Sequence, residues 1–308
     1  MGDMRHIPCG ACGADQPRPV GVPRVSEPAK TVTPGWEAVR VVQCAQCGFY
    51  YTYPMPFWDD GDLQTLYGAE YFGAESAWWH RQRTVVDPQR RLDAIEKERG
   101  SGGAEERGRL LDIGCGQGYV LEHALLRGWG VWGLEPSETW ARDTAARLGV
   151  QVWAQRVEQA DLPAHSCDVV FSDSVIEHLA EPLAMMELAR RVLKPGGIFY
   201  LVTPNADALV NRARGLLFRL AGSRRSPYIE PLCSPYHVVG FTPHSLSVLA
   251  ERAGFAVRHL WVRHGAEEWR KEKSWTASKV KSLALWPALL LGELSGKGTT
   301  IDVLLVRR

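Results

Sequence analysis

The 308-residue chain has almost no net charge, no long apolar run and no even set of cysteines. Its 36 Lys and Arg face 35 Asp and Glu, leaving +1 and a pI near 7.7. That balance argues against a dominant nucleic-acid-binding surface. The longest apolar run, Leu283 to Leu291, contains Pro287 and falls far short of the roughly 20 residues a spanning helix needs. The opening Met-Gly-Asp-Met-Arg-His lacks the apolar core of a secretion signal, and Gly2 lacks the downstream Ser or Thr of a myristoylation site. A cytoplasmic protein with no transmembrane segment is therefore the expectation. Seven cysteines, an odd number, fit badly with a secreted disulfide framework. A hydrophobic content of 45% is ordinary for one mid-sized domain with a small appendage. Internal repeats are absent.

What is present centres on Arg109-Leu-Leu-Asp-Ile-Gly-Cys-Gly-Gln-Gly-Tyr119. An apolar strand, Leu110 to Ile113, runs into three alternating glycines and then an amphipathic helix. Glycine permits dihedrals and close approach that side chains forbid, and the helix start near Gly118 is expected to offer free amides to a ligand. A second strand, Val131 to Leu134, ends in Glu135, whose carboxylate suits the two hydroxyls of a ribose. The dinucleotide fingerprint G-x-G-x-x-G is missing, because its sixth position is Tyr119. Asp112, two residues before Gly114, would repel a pyrophosphate and suit a cationic group.

Further segments fall in a fixed order. Asp161-Leu-Pro163 precedes the strand Cys167-Asp-Val-Val-Phe-Ser172, and Val175-Ile-Glu-His178 follows. A helical pattern from Pro182 stops at Leu193-Lys-Pro-Gly-Gly197, and the strand Ile198 to Val202 ends in Thr203-Pro-Asn205. Over about residues 105–262 this series resembles the class I S-adenosylmethionine-dependent methyltransferases, whose cofactor carries an ammonium and a sulfonium. The resemblance implies a cofactor site of Asp112, Gly114, Cys115, Gly116, Gly118, Glu135, Pro136 and Ser172. One departure concerns adenine: the chain reads Gln155-Arg-Val-Glu158 where many members carry an acid, so Glu158 or the backbone at Val157 takes that position. The implied fold is α/β, a Rossmann-like doubly wound, mostly parallel seven-stranded sheet with an antiparallel last strand, joined to a small N-terminal zinc ribbon.

Cys9-Gly-Ala-Cys12 and Cys44-Ala-Gln-Cys47 form two C-x-x-C knuckles, the spacing by which thiolate pairs reach one tetrahedral metal. Structural Zn2+ on Cys9, Cys12, Cys44 and Cys47 is the expectation; neither pair opens a helix that would favour redox chemistry. The expected division is a ribbon at 1–55, a linker and lid helix region at 56–104, and a catalytic domain at 105–308, with a substrate lid at 205–235. A ribbon ending Cys-Gly-Phe-Tyr-Tyr51, followed by Tyr67-Gly-Ala-Glu-Tyr-Phe72, is similar to a bacterial branch of these enzymes in which that segment covers the cleft. Tyr71 and Phe72 are therefore candidate lid residues, and 75–99 reads as helix.

For catalysis, His178 and His237 are the candidate general bases, needed only if the nucleophile must lose a proton. The lid carries Arg212, Arg214, Arg219, Arg224 and Arg225 among Leu216, Leu217, Phe218 and Leu220; guanidinium forks suit an anionic acceptor, although a solvated amphipathic helix has the same pattern. The reading is methylation of a small molecule, with an oxygen acceptor favoured on a sugar, lipid or natural-product intermediate. Two alternatives stand beside it. An RNA base methyltransferase would show a basic, aromatic-studded ribbon, whereas this one mixes Arg5, Arg18, Arg24 and Lys30 with Asp3, Asp15, Glu27 and Glu37. A cofactor-binding protein without turnover is the other.

Overall fold

A computed structural model describes residues 3–66, 87–100, 107–263 and 285–308. Tyr71 and Phe72, and the expected helix before residue 87, lie outside the described residues. The N-terminal module comprises β1 (Asp3–Arg5), β2 (Pro17–Gly21), α1 (Glu27–Val32), β3 (Arg40–Cys44), β4 (Tyr50–Tyr53) and β5 (Met55–Phe57). Helices α2 (Asp60–Leu66) and α3 (Asp87–Arg99) lead to the larger domain.

That domain alternates strand and helix: β6 (Arg109–Ile113), α4 (Tyr119–Leu126), β7 (Gly130–Leu134), α5 (Glu138–Leu148), β8 (Gln151–Trp153), β9 (Cys167–Asp173), α6 (Pro182–Val192) and β10 (Leu193–Pro204). It continues through α7 (Leu209–Leu220), β11 (Val239–Gly240), α8 (Pro243–Arg252), β12 (Phe255–Arg263), α9 (Trp286–Leu294) and β13 (Thr300–Arg307). Seven strands pair in the order β12-β13-β10-β9-β6-β7-β8. The β10-to-β8 run is parallel, and β13 is antiparallel to both its neighbours. This is the Rossmann-like sheet the resemblance implies.

Strand β9 is a continuous apolar run because a parallel sheet is covered on both faces. Alternate residues divide between two cores: Leu111, Ile113, Val170, Phe199 and Leu201 face one side, and Leu110, Val169, Phe171, Tyr200 and Val202 face the other. Helix starts are set locally. Ser137 caps α5 by accepting from the Trp140 amide, and Thr242 with Ser245 forms a reciprocal capping box on α8. Strand β10 begins earlier than its apolar pattern predicts, at Leu193, with its pairing on β9 shifted across the Lys194–Gly197 turn.

The ribbon is not self-contained. Its sheet has the order β11-β4-β3-β2, so a strand from residue 239 completes it. Phe49 packs against Phe241 with ring centres 5.0 Å apart and planes tilted by 57°, both buried.

Candidate active site and cysteine cluster

The glycine turn after β6 sits at the carboxyl edge of the sheet, at the switch point where the chain leaves β6 for β7 on one side and β9 on the other. Gly114 has φ +76°, and a Cβ there would lie 2.2 Å from Val175 Cγ2, so only glycine fits. Gly118, also left-handed, stands as N-cap of α4 without a side-chain cap. The turn closes on itself. The Gly114 and Cys115 amides donate to the Leu134 carbonyl, Gly118 N–H donates to Cys115, and Gly116 N–H donates to Glu135 Oε2 at 2.9 Å. The expectation of free amides near Gly118 is thus corrected for Gly118 itself, whose N–H is taken by Cys115.

The charge is concentrated. Glu135 Oε1 accepts from Ser137 N–H at 3.0 Å, which with the Gly116 bond holds the carboxylate at the mouth of the turn. Asp112 is buried, and desolvation together with Asp173 and Glu135 pushes its carboxyl well above the usual range, Arg91 opposing. Burial also raises Glu135. Asp173 is paired with Arg91, but the raised Asp112 and Glu135 carboxyls beside the turn are relieved by a further positive group, so these residues fit a cationic nucleoside cofactor. Pro136 is exposed beside Glu135. The Ser172 hydroxyl, fully buried, donates to the Ile113 carbonyl at 3.0 Å. Val157 and Glu158 form a short 3-10 turn, Glu158 lies 3.6 Å from the Arg156 guanidinium, and both line an open cleft against α6.

A second region lies next to this edge. A cavity of about 350 Å³ is lined by Glu177 and His237, by Asn211, Arg214 and Tyr228, and by an apolar wall including Val210, Ile229 and Leu289. The 205–235 segment thus supplies much of the lining, and Arg214 is its guanidinium there. Arg212 is instead paired with Asp207 at 2.5 Å.

His178 and His237 come together although 59 positions separate them in the chain: their rings stand 4.9 Å apart, edge to face. Burial lowers His178 to about 4 against a hydrogen bond to the Tyr236 backbone. Burial and then His178 lower His237 to about 3. Both imidazoles are therefore neutral at physiological pH. Glu177, which sequence reasoning passed over as the neighbour of His178, completes the group: it is 1% exposed and raised by burial to about 8. Its Oε2 accepts from the Thr203 hydroxyl at 3.0 Å. Arg91 and Asp173 were also missed. Arg91 is buried on α3 and reaches Asp173 at 2.5 Å, a pairing with no local signal, since 82 positions separate them.

In the ribbon, Cys9 Sγ lies 3.5 Å from Cys47 Sγ and Cys12 Sγ 3.6 Å from Cys44 Sγ. All four sulfurs fall within 4.8 Å of one another. A tetrahedral site with metal–sulfur bonds of about 2.3 Å has edges of about 3.8 Å, so the four thiols match that shape. The Cys47 contact lowers Cys9 to about 5 and pushes Cys47 itself up, because the pair shares one proton.

Strand order, switch-point turn and acid-lined cleft define the class as a Rossmann-like nucleoside-cofactor enzyme. Residues 78–260 match the family model described as a methyltransferase domain. The chain belongs to the S-adenosylmethionine-dependent methyltransferase family. A Mycolicibacterium smegmatis protein named "probable S-adenosylmethionine-dependent methyltransferase" is 31% identical over 63% of this chain and 65% of its own length. The chain therefore spans just under two thirds of that relative. A ubiquinone biosynthesis O-methyltransferase of Aeromonas salmonicida is 28% identical over 65% of this chain and 85% of its own. In fold, an S-adenosylmethionine-dependent methyltransferase of Archaeoglobus fulgidus superposes with a TM-score of 0.51 at 17% identity, covering 76% of this chain and all of that one. No helix among the described residues is long and apolar enough to cross a membrane.

Proposed function

We propose that the protein methylates an oxygen of a small hydroxylated molecule held in the cavity beside Glu177 and His237. The observation that carries this reading is the cavity itself: about 350 Å³, mostly apolar, lined by the buried Glu177 carboxyl and His237, with His178 packed behind the His237 ring. Several relatives are named as O-methyltransferases of ubiquinone biosynthesis, which supports an oxygen acceptor.

S-adenosylmethionine supplies a methyl group on a positively charged sulfonium, an already activated leaving group. The protein's own work is positioning and water exclusion, which can contribute roughly 7–11 kcal/mol. Asp112 and Glu135, with the Gly114–Gly118 turn, hold the cofactor; Cys115, Pro136, Val157, Glu158 and Ser172 flank or support that pocket. His237, with His178 against its ring, orients the acceptor's hydroxyl beside Glu177. Arg214 pairs with an anionic substituent where the acceptor has one. Cys9, Cys12, Cys44 and Cys47 hold zinc as a structural ion; with every position filled by protein, it takes no part in the chemistry. The ribbon (1–55), the linker and lid helix region (56–104) and the catalytic domain (105–308) are the proposed units, with β11 of the last completing the ribbon's sheet.

The test is transfer of an isotope-labelled methyl group into fractionated metabolites, with an RNA fraction alongside. Label in alkali-stable ethers of small molecules is expected. Label in RNA alone, or only on amine nitrogen, would overturn the acceptor assignment.

A further inference from the structure

We propose that Glu177, His178 and His237 form a divalent-cation site, separate from the cysteine cluster, with open coordination positions facing the acceptor cavity. The three residues come from two distant segments, the 3-10 turn Ile176–His178 after β9 and the loop before β11. One donor atom from each lies within 4.8 Å of the others. Glu177 Oε1 is buried without a hydrogen-bond partner and stands 3.8 Å from His237 Nε2. A buried carboxyl oxygen is costly to leave unpaired, and this one belongs to a residue that lines the cavity.

The outer contacts fit the same role. Protein ligands to metals are commonly fixed from behind, a histidine by a backbone carbonyl and a carboxylate by a hydroxyl. Here His178 hydrogen-bonds the Tyr236 backbone, and the Thr203 hydroxyl donates to Glu177 Oε2. Two imidazoles and one carboxylate, without a thiolate, suit Mn2+, Fe2+, Co2+ or Zn2+, and three protein ligands leave positions open.

The role of the cation, though not the site, rests on the oxygen-acceptor reading above. A cation there lowers the pKa of a hydroxyl set against it. The O–H proton is released to solvent, the oxygen lone pair forms the new C–O bond, and the methyl–sulfur bond breaks. Its electron pair returns to sulfur, which leaves as a neutral thioether. The histidines then act as ligands and not as bases.

The test uses the full chain with its cysteine cluster first saturated by one equivalent of Zn2+. Mn2+ is then titrated, with the free ion followed by electron paramagnetic resonance, and Co2+ in parallel, followed by absorption. One further site per chain is expected, its cobalt spectrum free of intense sulfur-to-metal bands. Glu177→Gln and His237→Ala should each weaken Mn2+ at least tenfold while calorimetric affinity for S-adenosylmethionine is retained, which reports an intact fold. Wild-type protein that takes up none of these ions beyond the cysteine cluster overturns the proposal, as does unchanged Mn2+ affinity in both variants. Tight Mn2+ binding without transfer to any hydroxyl compound would uphold the site and overturn only the acceptor reading. Undiminished transfer by protein stripped of the second ion would overturn the cation's role.

Discussion

Asp112 is a buried carboxyl whose proposed part in cofactor binding comes at a cost to stability. Its folded pKa is raised by burial and by Asp173 and Glu135, so the folded cofactor-free protein binds this proton more tightly than the unfolded chain. The stabilising contribution is complete below the ordinary aspartate range and is lost as pH rises through the raised value. Asp112→Asn should therefore raise the cofactor-free melting temperature at pH 7–8, with less gain at pH 4. The same variant should weaken S-adenosylmethionine at least tenfold by calorimetry, and wild-type affinity should fall as acid protonates Asp112. Glu135→Ala should weaken the cofactor to a similar degree with metal content unchanged, because it removes the acceptor of the Gly116 and Ser137 amides.

At the same scale, Arg91 is a cation that the fold has buried against acids. It meets Asp173 at 2.5 Å and lies 3.8 Å from both Asp87 and fully buried Asp302. Replacing it by Met would leave Asp173 and Asp302 with a diminished counter-charge. Breaking one side of such a buried pair costs about 3–5 kcal/mol, read as a lower denaturation midpoint in urea.

Among the elements, β4 and β11 decide how the ribbon meets the acceptor site. The Thr52 hydroxyl and amide both donate to the Val238 carbonyl, at 2.7 and 3.0 Å, and Val239 pairs with Tyr51. His237 therefore sits one residue from a backbone held by the ribbon. Thr52→Val should cost about 0.5–1.5 kcal/mol of stability. It should also raise KM for the acceptor more than it changes affinity for S-adenosylmethionine, whose proposed turn after β6 lies across β9 from β10. Tyr50 adds a second link by stacking at 4.4 Å on Tyr228 of the cavity wall.

Across the whole molecule, the cysteine cluster is the keystone of that arrangement. Cys44 ends β3, and Phe49 and Tyr51 beside it pack against the catalytic domain. Binding of a structural metal by such thiols can contribute on the order of 10 kcal/mol to ordering a small module. Cys44→Ser or chelation should abolish methyl transfer through the acceptor site while calorimetric binding of S-adenosylmethionine survives. Loss of both together would show that the ribbon supports the sheet as well.

Much of this was legible along the chain because its causes are local. The strand–glycine–helix turn, the acids at Asp112 and Glu135, the paired C-x-x-C knuckles and the buried run of β9 are each set by neighbouring residues, through backbone dihedrals and side-chain periodicity. With the family resemblance they carry, these pointed to the class of enzyme and to the succession of strands along the chain. The tertiary structure decided what depends on proximity between distant segments. It closed the turn's amides on Leu134 and Glu135, set Arg91 on Asp173, joined β11 to the ribbon, and brought Glu177 and His178 to His237. Burial and charge pairing act through space, and a linear spacing of 59 residues between two histidines carries no trace of the 4.9 Å that separates their rings.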